Sequence, residues 1–245
     1  MKRRITDGVL ATAALLVIGC GGSSTDPSSN DARCRRYATA STSAITISNV
    51  PDATATTTCM FDRATATLRC TQTGSGGGGF CLMQTSQTVY ASVADFVEEA
   101  AVVGRERRQR MDTALGGGCS GINLSSVYVY DGQKRPLNRT DSGAEANPSM
   151  TTFGAWDALG RPTTEASARE TCTGETWAVT YDDAARRTTT RTLSAGTGRG
   201  CAPSVVVSTV DYDADGNITR QVVTAGGVTT RTQTNTITSA ESVCR

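Results

Sequence analysis

An aromatic residue followed directly by aspartate recurs along this chain, and this recurrence limits the possible fold most strongly. Four copies place the aspartates at Asp131, Asp157, Asp182 and Asp213, at intervals of 26, 25 and 31 residues, and a weaker copy contains Asp62. Self-similarity at such a period is typical of repeat architectures. Strand-forming residues surround a short polar stretch in each copy. Each copy therefore predicts a β-hairpin in which aspartate caps the turn and glycine, where present, supplies positive φ.

The copies resemble the YD repeats of the RHS family, in which Tyr-Asp is followed by two variable residues, glycine, arginine or asparagine, and a hydrophobic residue. The best matches are YDADGNI at 212–218 and WDALGRP at 156–162, whereas Lys134 and Ala185 stand in place of the glycine in two other copies. The resemblance covers residues 125–224 well and 59–71 poorly. It implies an all-β fold, an antiparallel hairpin array that forms a twisted β-sheet, with a loose association with carbohydrate or surface binding. Four or five repeats are too few to enclose another domain.

Composition supports the all-β expectation. The chain has about 40 threonines, and their branched β-carbons favour strands. Aromatic residues make up only 5% of the chain, so a core of large side chains buries little area, and disulfides are the expected supplement. The net charge of +1 gives no general attraction to nucleic acid or to a membrane surface.

One segment departs from the strand pattern. The sequence SVADFVEEAAVV at 92–103 begins with Ser92 and has Asp95 three positions later, a pair that is typical of a helix N-terminus. Its apolar residues recur with helical spacing, at Val93, Phe96, Val97 and Ala100. We expect a short helix that packs Phe96 on the sheet. The following run RERRQR, at 105–110, predicts either a solvated edge strand or a contact with anionic lipid or polysaccharide.

The N-terminus carries an export signal. A basic stretch at 2–4 precedes an apolar run that ends in Val17-Ile18-Gly19-Cys20. This ending resembles the lipobox of bacterial lipoproteins, and the resemblance implies that residues 1–20 form the signal and that Cys20 is acylated and becomes the first mature residue. The segment 21–33 lacks large apolar residues and is expected to be a flexible tether. Gly21, rather than aspartate, after the cysteine favours the outer membrane.

Eight cysteines remain after Cys20 is assigned to lipid. An even number in an oxidising compartment predicts up to four disulfides, among Cys34, Cys59, Cys70, Cys81, Cys119, Cys172, Cys201 and Cys244. One pairing follows from hairpin register, because a turn between Phe61 and Leu68 places Cys59 directly opposite Cys70. By a looser argument, Cys172 and Cys201 flank the hairpin that contains Tyr181.

Cofactor chemistry is not expected. The chain has no histidine and no CxxC pair, which argues against a zinc site and excludes histidine-based catalysis. The stretch DYDADG could begin a calcium loop through Asp211, Asp213 and Asp215. A calcium loop of the EF-hand type needs glutamate at its twelfth position, where this chain has Val222. We therefore interpret the stretch as a hairpin turn, with weak calcium binding as the alternative.

The sequence predicts an amino-terminal β module with a short helix at 34–118 and a hairpin array at 119–245. The favoured function is that of a lipid-anchored, non-enzymatic binding or structural module of the cell envelope, with polysaccharide or another envelope protein as partner. Trp156 and Trp177 are candidates for sugar stacking if they face solvent; otherwise they belong to the core. Two alternatives stay open: a glycan hydrolase that uses carboxylates, and a partner or immunity lipoprotein of an RHS-type toxin.

Overall fold

The computed structural model describes residues 34–48, 50–76, 83–115, 123–143, 149–169, 172–193, 201 and 205–245. The predicted signal, the tether, Cys20, Cys81 and Cys119 lie outside these residues. The strands are β1 Cys34–Ile47, β2 Val50–Asp62, β3 Thr67–Gly76, β4 Gln84–Tyr90, β5 Arg108–Leu115, β6 Asn123–Tyr130, β7 Pro136–Gly143, β8 Ser149–Trp156, β9 Pro162–Arg169, β10 Cys172–Asp182, β11 Arg187–Leu193, β12 Val206–Tyr212, β13 Ile218–Ala225 and β14 Val228–Cys244. The helix α1, Val93–Ala101, lies between β4 and β5.

The strands form a closed antiparallel barrel. Each strand pairs with its neighbours in sequence, and β1 pairs with β14 from Cys34↔Cys244 to Ile47↔Arg231. The all-β, antiparallel prediction is confirmed, but the open twisted sheet is wrong. Closure satisfies the two strand edges that an open array would leave unpaired. The sheet also continues across the predicted boundary between 118 and 119, since β5 pairs with β6 there.

Alternating side chains give the barrel wall two different faces. On β2, Ala53, Ala55 and Thr57 are buried, whereas Thr54 and Thr56 between them are exposed, as the period of two in a strand requires. Most strands bury polar side chains in the interior, including Ser41, Ser43, Thr57, Gln72, Thr88, Thr113, Ser126, Thr151, Glu165, Glu175, Thr188 and Gln233. Because these side chains are almost inaccessible to water, we infer that side chains fill the barrel interior around these residues.

The helix fills one end of the barrel. It begins at the predicted N-cap, where the Ser92 hydroxyl accepts a hydrogen bond from the Asp95 amide at 3.1 Å, and it ends at Ala101, two residues before the predicted end. Phe96 has no exposed surface and stacks on Phe61 with a centroid distance of 3.9 Å. The guanidinium of Arg35 lies 3.9 Å from the Phe96 centroid. This aromatic cluster supplies the main apolar core, and a smaller one surrounds Ile45.

The arginine-rich run 105–110 is not a solvated edge strand. β5, which begins at Arg108, is hydrogen-bonded on both sides, to β4 and to β6. Arg108 is buried and pairs with Glu99 at 3.0 Å, and Arg105 donates to the Leu159 carbonyl at 2.8 Å. These charges turn inward because the barrel closes around α1, whose carboxylates and neighbouring carbonyls need cationic partners.

Three disulfides join described cysteines. Cys59 pairs with Cys70, in the hairpin register that the sequence predicts. Cys172 pairs with Cys201. The third, Cys34–Cys244, joins the first residue of β1 to the last residue of β14 and so fastens the seam at which the barrel closes.

Candidate functional site

All five repeat aspartates lie at hairpin turns, and these turns share the end of the barrel that contains α1. We call this the turn end; it consists of α1 and the turns at Asp62, Asp131, Asp157, Asp182 and Asp213. The chain enters β1 and leaves β14 at the same end, because β1 and β14 are antiparallel and pair through Cys34 and Cys244.

Three of the turns have one shared geometry. Asp157 Oδ1 accepts hydrogen bonds from the amides of Leu159 and Arg161 at 2.9 and 3.0 Å, and Oδ2 accepts from Arg161 Nε at 2.6 Å. Asp131 accepts the corresponding hydrogen bonds from the Gln133 and Arg135 amides and from Arg135 Nε. Asp213 accepts hydrogen bonds from the amide and the side chain of Asn217. Gly160 and Gly216 have positive φ in these turns, as predicted, and Lys134 adopts the same conformation without glycine.

Hydrogen bonds set the acidity of these carboxylates. The backbone amide of Arg135 holds the pKa of Asp131 below its usual value, and the Arg135 side chain adds to this. Partial burial alone would raise the pKa of Asp157, but hydrogen bonds from the Arg161 amide and side chain outweigh it, and the net shift is downward. The carboxylates of Asp131 and Asp157 are therefore kept ionised to hold their turns.

The residue four positions after the aspartate connects each turn to the next one. Arg135 lies 4.6 Å from the centroid of Trp156, and Arg161 lies 4.1 Å from that of Tyr181 and binds Asp183 at 2.5 Å. Sequence reasoning missed this role, although arginine or asparagine recurs at the position. These contacts link neighbouring turns to one another at this end of the barrel.

The three aspartates of the calcium alternative have different partners. Asp211 is ion-paired with Arg187, both oxygens of Asp213 accept from Asn217, and Asp215 lies 3.5 Å from Arg36. Burial, followed by the neighbouring Asp213 charge, raises the pKa of Asp215.

One group of metal-type ligand atoms within 4.8 Å of one another occurs in the described part of the chain. It comprises Cys172, Glu175 and Cys201, and its two sulfurs are already joined in a disulfide. The sulfurs are therefore not thiolate ligands in this structure.

A second group of ionisable residues lies inside the barrel against α1. Glu99 accepts hydrogen bonds from Tyr90 at 3.1 Å, the Arg107 amide at 2.8 Å and Arg108 at 3.0 Å. Burial raises the pKa of Glu106, against the opposing effect of Arg108, and Glu106 Oε2 has no hydrogen-bond partner among the described residues. A raised carboxyl pKa suits a general acid, but no second carboxyl group among the described residues is shown to flank Glu106 across a cleft.

In the described part of the chain, an open concave surface lies on the outer face of strands β3 to β7. This groove has a volume of about 630 Å³, and we call it the outer groove. Arg110 Nε donates to Asp112 Oδ1 at 2.8 Å, and the Ser125 hydroxyl donates to the same oxygen at 2.7 Å, so the floor is held in place before any ligand arrives. Its outward-facing lining is polar and includes Arg69, Gln87, Arg110, Asp112, Asn123 and Ser125.

Trp156 and Trp177, the candidates for sugar stacking, do not line the outer groove. Trp156 is half-buried under Arg135, and its indole Nε1 is buried without a hydrogen-bond partner. Trp177 is half-buried on β10, on the inward face that it shares with Glu175 and Val179. Both rings are taken up by packing, since the barrel has few other large side chains to fill the space.

The fold and these sites define a closed up-and-down barrel with one end filled by a helix. No protein-family model matches the chain, and no curated protein matches it. A solved structure described as a porin-like protein from Bacteroides uniformis is similar, with 14% identity and a TM-score of 0.38, over 81% of this chain and 95% of that one. Its function is not transferred at this distance. Within the described residues, no helix has the length and hydrophobicity of a transmembrane span.

Proposed function

We propose that this protein is a lipid-anchored component of the bacterial cell envelope, more specifically of the outer membrane, and that its outer groove binds polysaccharide without cleaving it. The observation that carries the proposal is the groove itself, a polar concavity of about 630 Å³ on the outer face of the barrel. Sugars present hydroxyl groups that both donate and accept hydrogen bonds. The amides, hydroxyls and guanidinium groups of this groove complement them.

The lining favours binding over hydrolysis. Glycosidases use two carboxyl groups on either side of the scissile bond. Among the described residues that line the outer groove, Asp112 is the single carboxylate, and its Oδ1 already accepts hydrogen bonds from Arg110 and Ser125. Such a carboxylate orients neighbouring donors and is not free to act as a second catalytic group.

The composition of the outer barrel surface favours attachment to the membrane through a lipid anchor. A barrel wall that faces acyl chains carries mainly large apolar side chains. Here many of the exposed outward positions on β1 to β3 are threonines, namely Thr42, Thr46, Thr54, Thr56, Thr58, Thr71 and Thr73. Exposed apolar residues such as Met60, Val127 and Met150 are few. We infer that acylated Cys20, through burial of many methylene groups, holds the protein at the membrane.

Acyl labelling and fractionation test the anchor. Cys20→Ala should abolish incorporation of labelled fatty acid and release the protein from membranes or leave it unprocessed, whereas Ser23→Ala should behave as the wild type. Persistent acyl label in the cysteine variant, with extraction by detergent only, would contradict the anchor.

A glycan array tests the binding function. The lipid-free Cys20→Ala protein should retain at least one class of polysaccharide and should release no shorter product on prolonged incubation. Arg110→Ala should weaken retention, and Arg220→Ala, which changes an exposed arginine on β13 outside the groove, should not. Release of oligosaccharides would support the hydrolase alternative, and the absence of retention on a broad array would contradict the proposal.

A further inference from the structure

The outward residues of the outer groove form a row that runs across the strands. Strand register places them directly opposite one another in the order Arg69, Gln87, Asp112, Ser125 and Ser142, on the five consecutive strands β3 to β7. Neighbouring strands lie about 4.8 Å apart, so the row is about 19 Å long. Every position in the row offers a polar side chain.

A second row lies two residues further along each strand. It contains Thr58, Thr71, Thr85, Ala114 and Asn123, which are also direct partners in the register. This row begins one strand earlier, on β2, and its members from Thr71 onward line the groove as well. The two rows therefore form a track with hydroxyl or amide groups at most strand positions.

From these two rows we infer that the ligand is a linear polysaccharide chain that lies across the strands, an inference that rests on the proposed function. A strand spacing of about 4.8 Å is close to the length of one pyranose ring in an extended chain, so the track contacts about four consecutive sugars. Sheets twist by about 20–25° from strand to strand. A flexible single chain can follow this twist, whereas a flat crystalline surface cannot.

The charged residues of the first row indicate which class of polysaccharide the groove can bind. Arg69 stands at one end with about half of its side chain exposed, 3.7 Å from Asp62, and guanidinium groups bind carboxylates in bidentate geometry. Two strands further along, Asp112 would repel a second carboxylate, even though Arg110 offsets part of its charge at 2.8 Å. Because each strand contacts about one sugar, Arg69 and Asp112 face the first and third sugars of the chain. The row therefore fits a polysaccharide in which the uronic acid opposite Arg69 is followed by at least two neutral sugars.

Calorimetry with oligosaccharides of defined length tests this inference on the lipid-free Cys20→Ala protein. The probes are gellan oligosaccharides, in which three neutral sugars separate successive uronic acids; hyaluronan oligosaccharides, in which uronic acid alternates with a neutral amino sugar; chitin oligosaccharides as the neutral series; and oligogalacturonates as the fully acidic series. Affinity for the gellan series should rise at least tenfold from a disaccharide that contains the uronic acid to the tetrasaccharide and level off by the octasaccharide. The gellan series should bind more tightly than any of the other three at equal length.

Two groove variants locate the charges, with Arg220→Ala as the matched control outside the groove. Arg69→Ala should weaken binding of the gellan tetrasaccharide at least tenfold and leave the chitin series unchanged. Asp112→Asn should strengthen binding of the oligogalacturonates. Binding that does not depend on length, or that survives Arg69→Ala, overturns the inference and leaves the proposed function standing. If no polysaccharide binds at all, both are overturned.

Discussion

The disulfide at the barrel seam should contribute more to stability than its small contact area suggests. Cys34 and Cys244 are 210 residues apart in sequence, so their bond constrains almost the entire unfolded chain. In the chain-entropy model, closing a loop of this size stabilises the folded state by about 5 kcal/mol. Cys34 is exposed at the start of β1, so replacing both cysteines with alanine removes little packing.

Urea denaturation of the double variant, in the Cys20→Ala background, measures this effect. The free energy of unfolding should fall by about 5 kcal/mol. The dependence of that free energy on urea concentration should become steeper, because an unfolded chain without the cross-link exposes more surface. The control is Cys59→Ala combined with Cys70→Ala, which opens a loop with a separation of only 11 residues. It should cost about 3 kcal/mol and leave the urea dependence nearly unchanged.

Two results would refute the reasoning. If the seam variant loses stability while the urea dependence stays constant, the bond acts on the folded state and not on the unfolded chain. If the seam variant is less destabilised than the hairpin variant, loop length does not govern the contribution of these disulfides.

Four further predictions concern individual sites. Phe96→Ala should lower the free energy of unfolding by about 3–5 kcal/mol in urea titrations, because the ring is fully buried. Gly143→Ala should destabilise the barrel by about 1–3 kcal/mol, because a Cβ at this position would lie 1.9 Å from the backbone oxygen of Asn123 on β6. Gly132→Ala is the control and should keep the wild-type melting temperature, because a Cβ at that position would meet no neighbouring atom within 4 Å. The pKa of Asp157 is lower in the folded protein than in the unfolded chain. Its contribution to the free energy of unfolding is therefore complete above the unfolded-state pKa of about 4 and disappears as the pH falls through the lower folded-state pKa. Asp157→Asn should make the free energy of unfolding fall less steeply with decreasing pH in this range. Millimolar calcium should leave the melting temperature unchanged, and a rise of several degrees that is lost on Asp213→Asn would contradict the turn interpretation.

The local features of this protein follow from short sequence patterns. The aromatic-Asp pairs predict the hairpin turns, because a carboxylate that caps two amides and a residue with positive φ act within a few positions of each other. The same locality sets the register that places Cys59 opposite Cys70. The helix start at Ser92 is predictable for the same reason, since an N-cap needs only its own first turn.

Closure of the barrel depends on contacts that are remote in sequence. The pairing of β1 with β14 has no local signal, although the positions of Cys34 and Cys244 near the two ends of the described chain are compatible with it. Closure then divides the arginine-rich run, because Arg108 comes to face Glu99 of α1 inside the barrel, whereas Arg110 stays exposed on the outer face. The environment of Trp156 and Trp177 also depends on the tertiary structure, because both pack into the wall.

The outer groove shows most clearly which features follow from the sequence and which follow from the tertiary structure. Within a single strand, the period of two decides which residues share a face with Arg69, Asp112 or Ser125, and that much is a property of the sequence alone. Only the tertiary structure decided that these residues stand in one row across β3 to β7, since a row depends on the register between four successive strand pairs. A shift of one residue in any of these pairs would move every later side chain to the opposite face, so the binding track is a property of the assembled barrel.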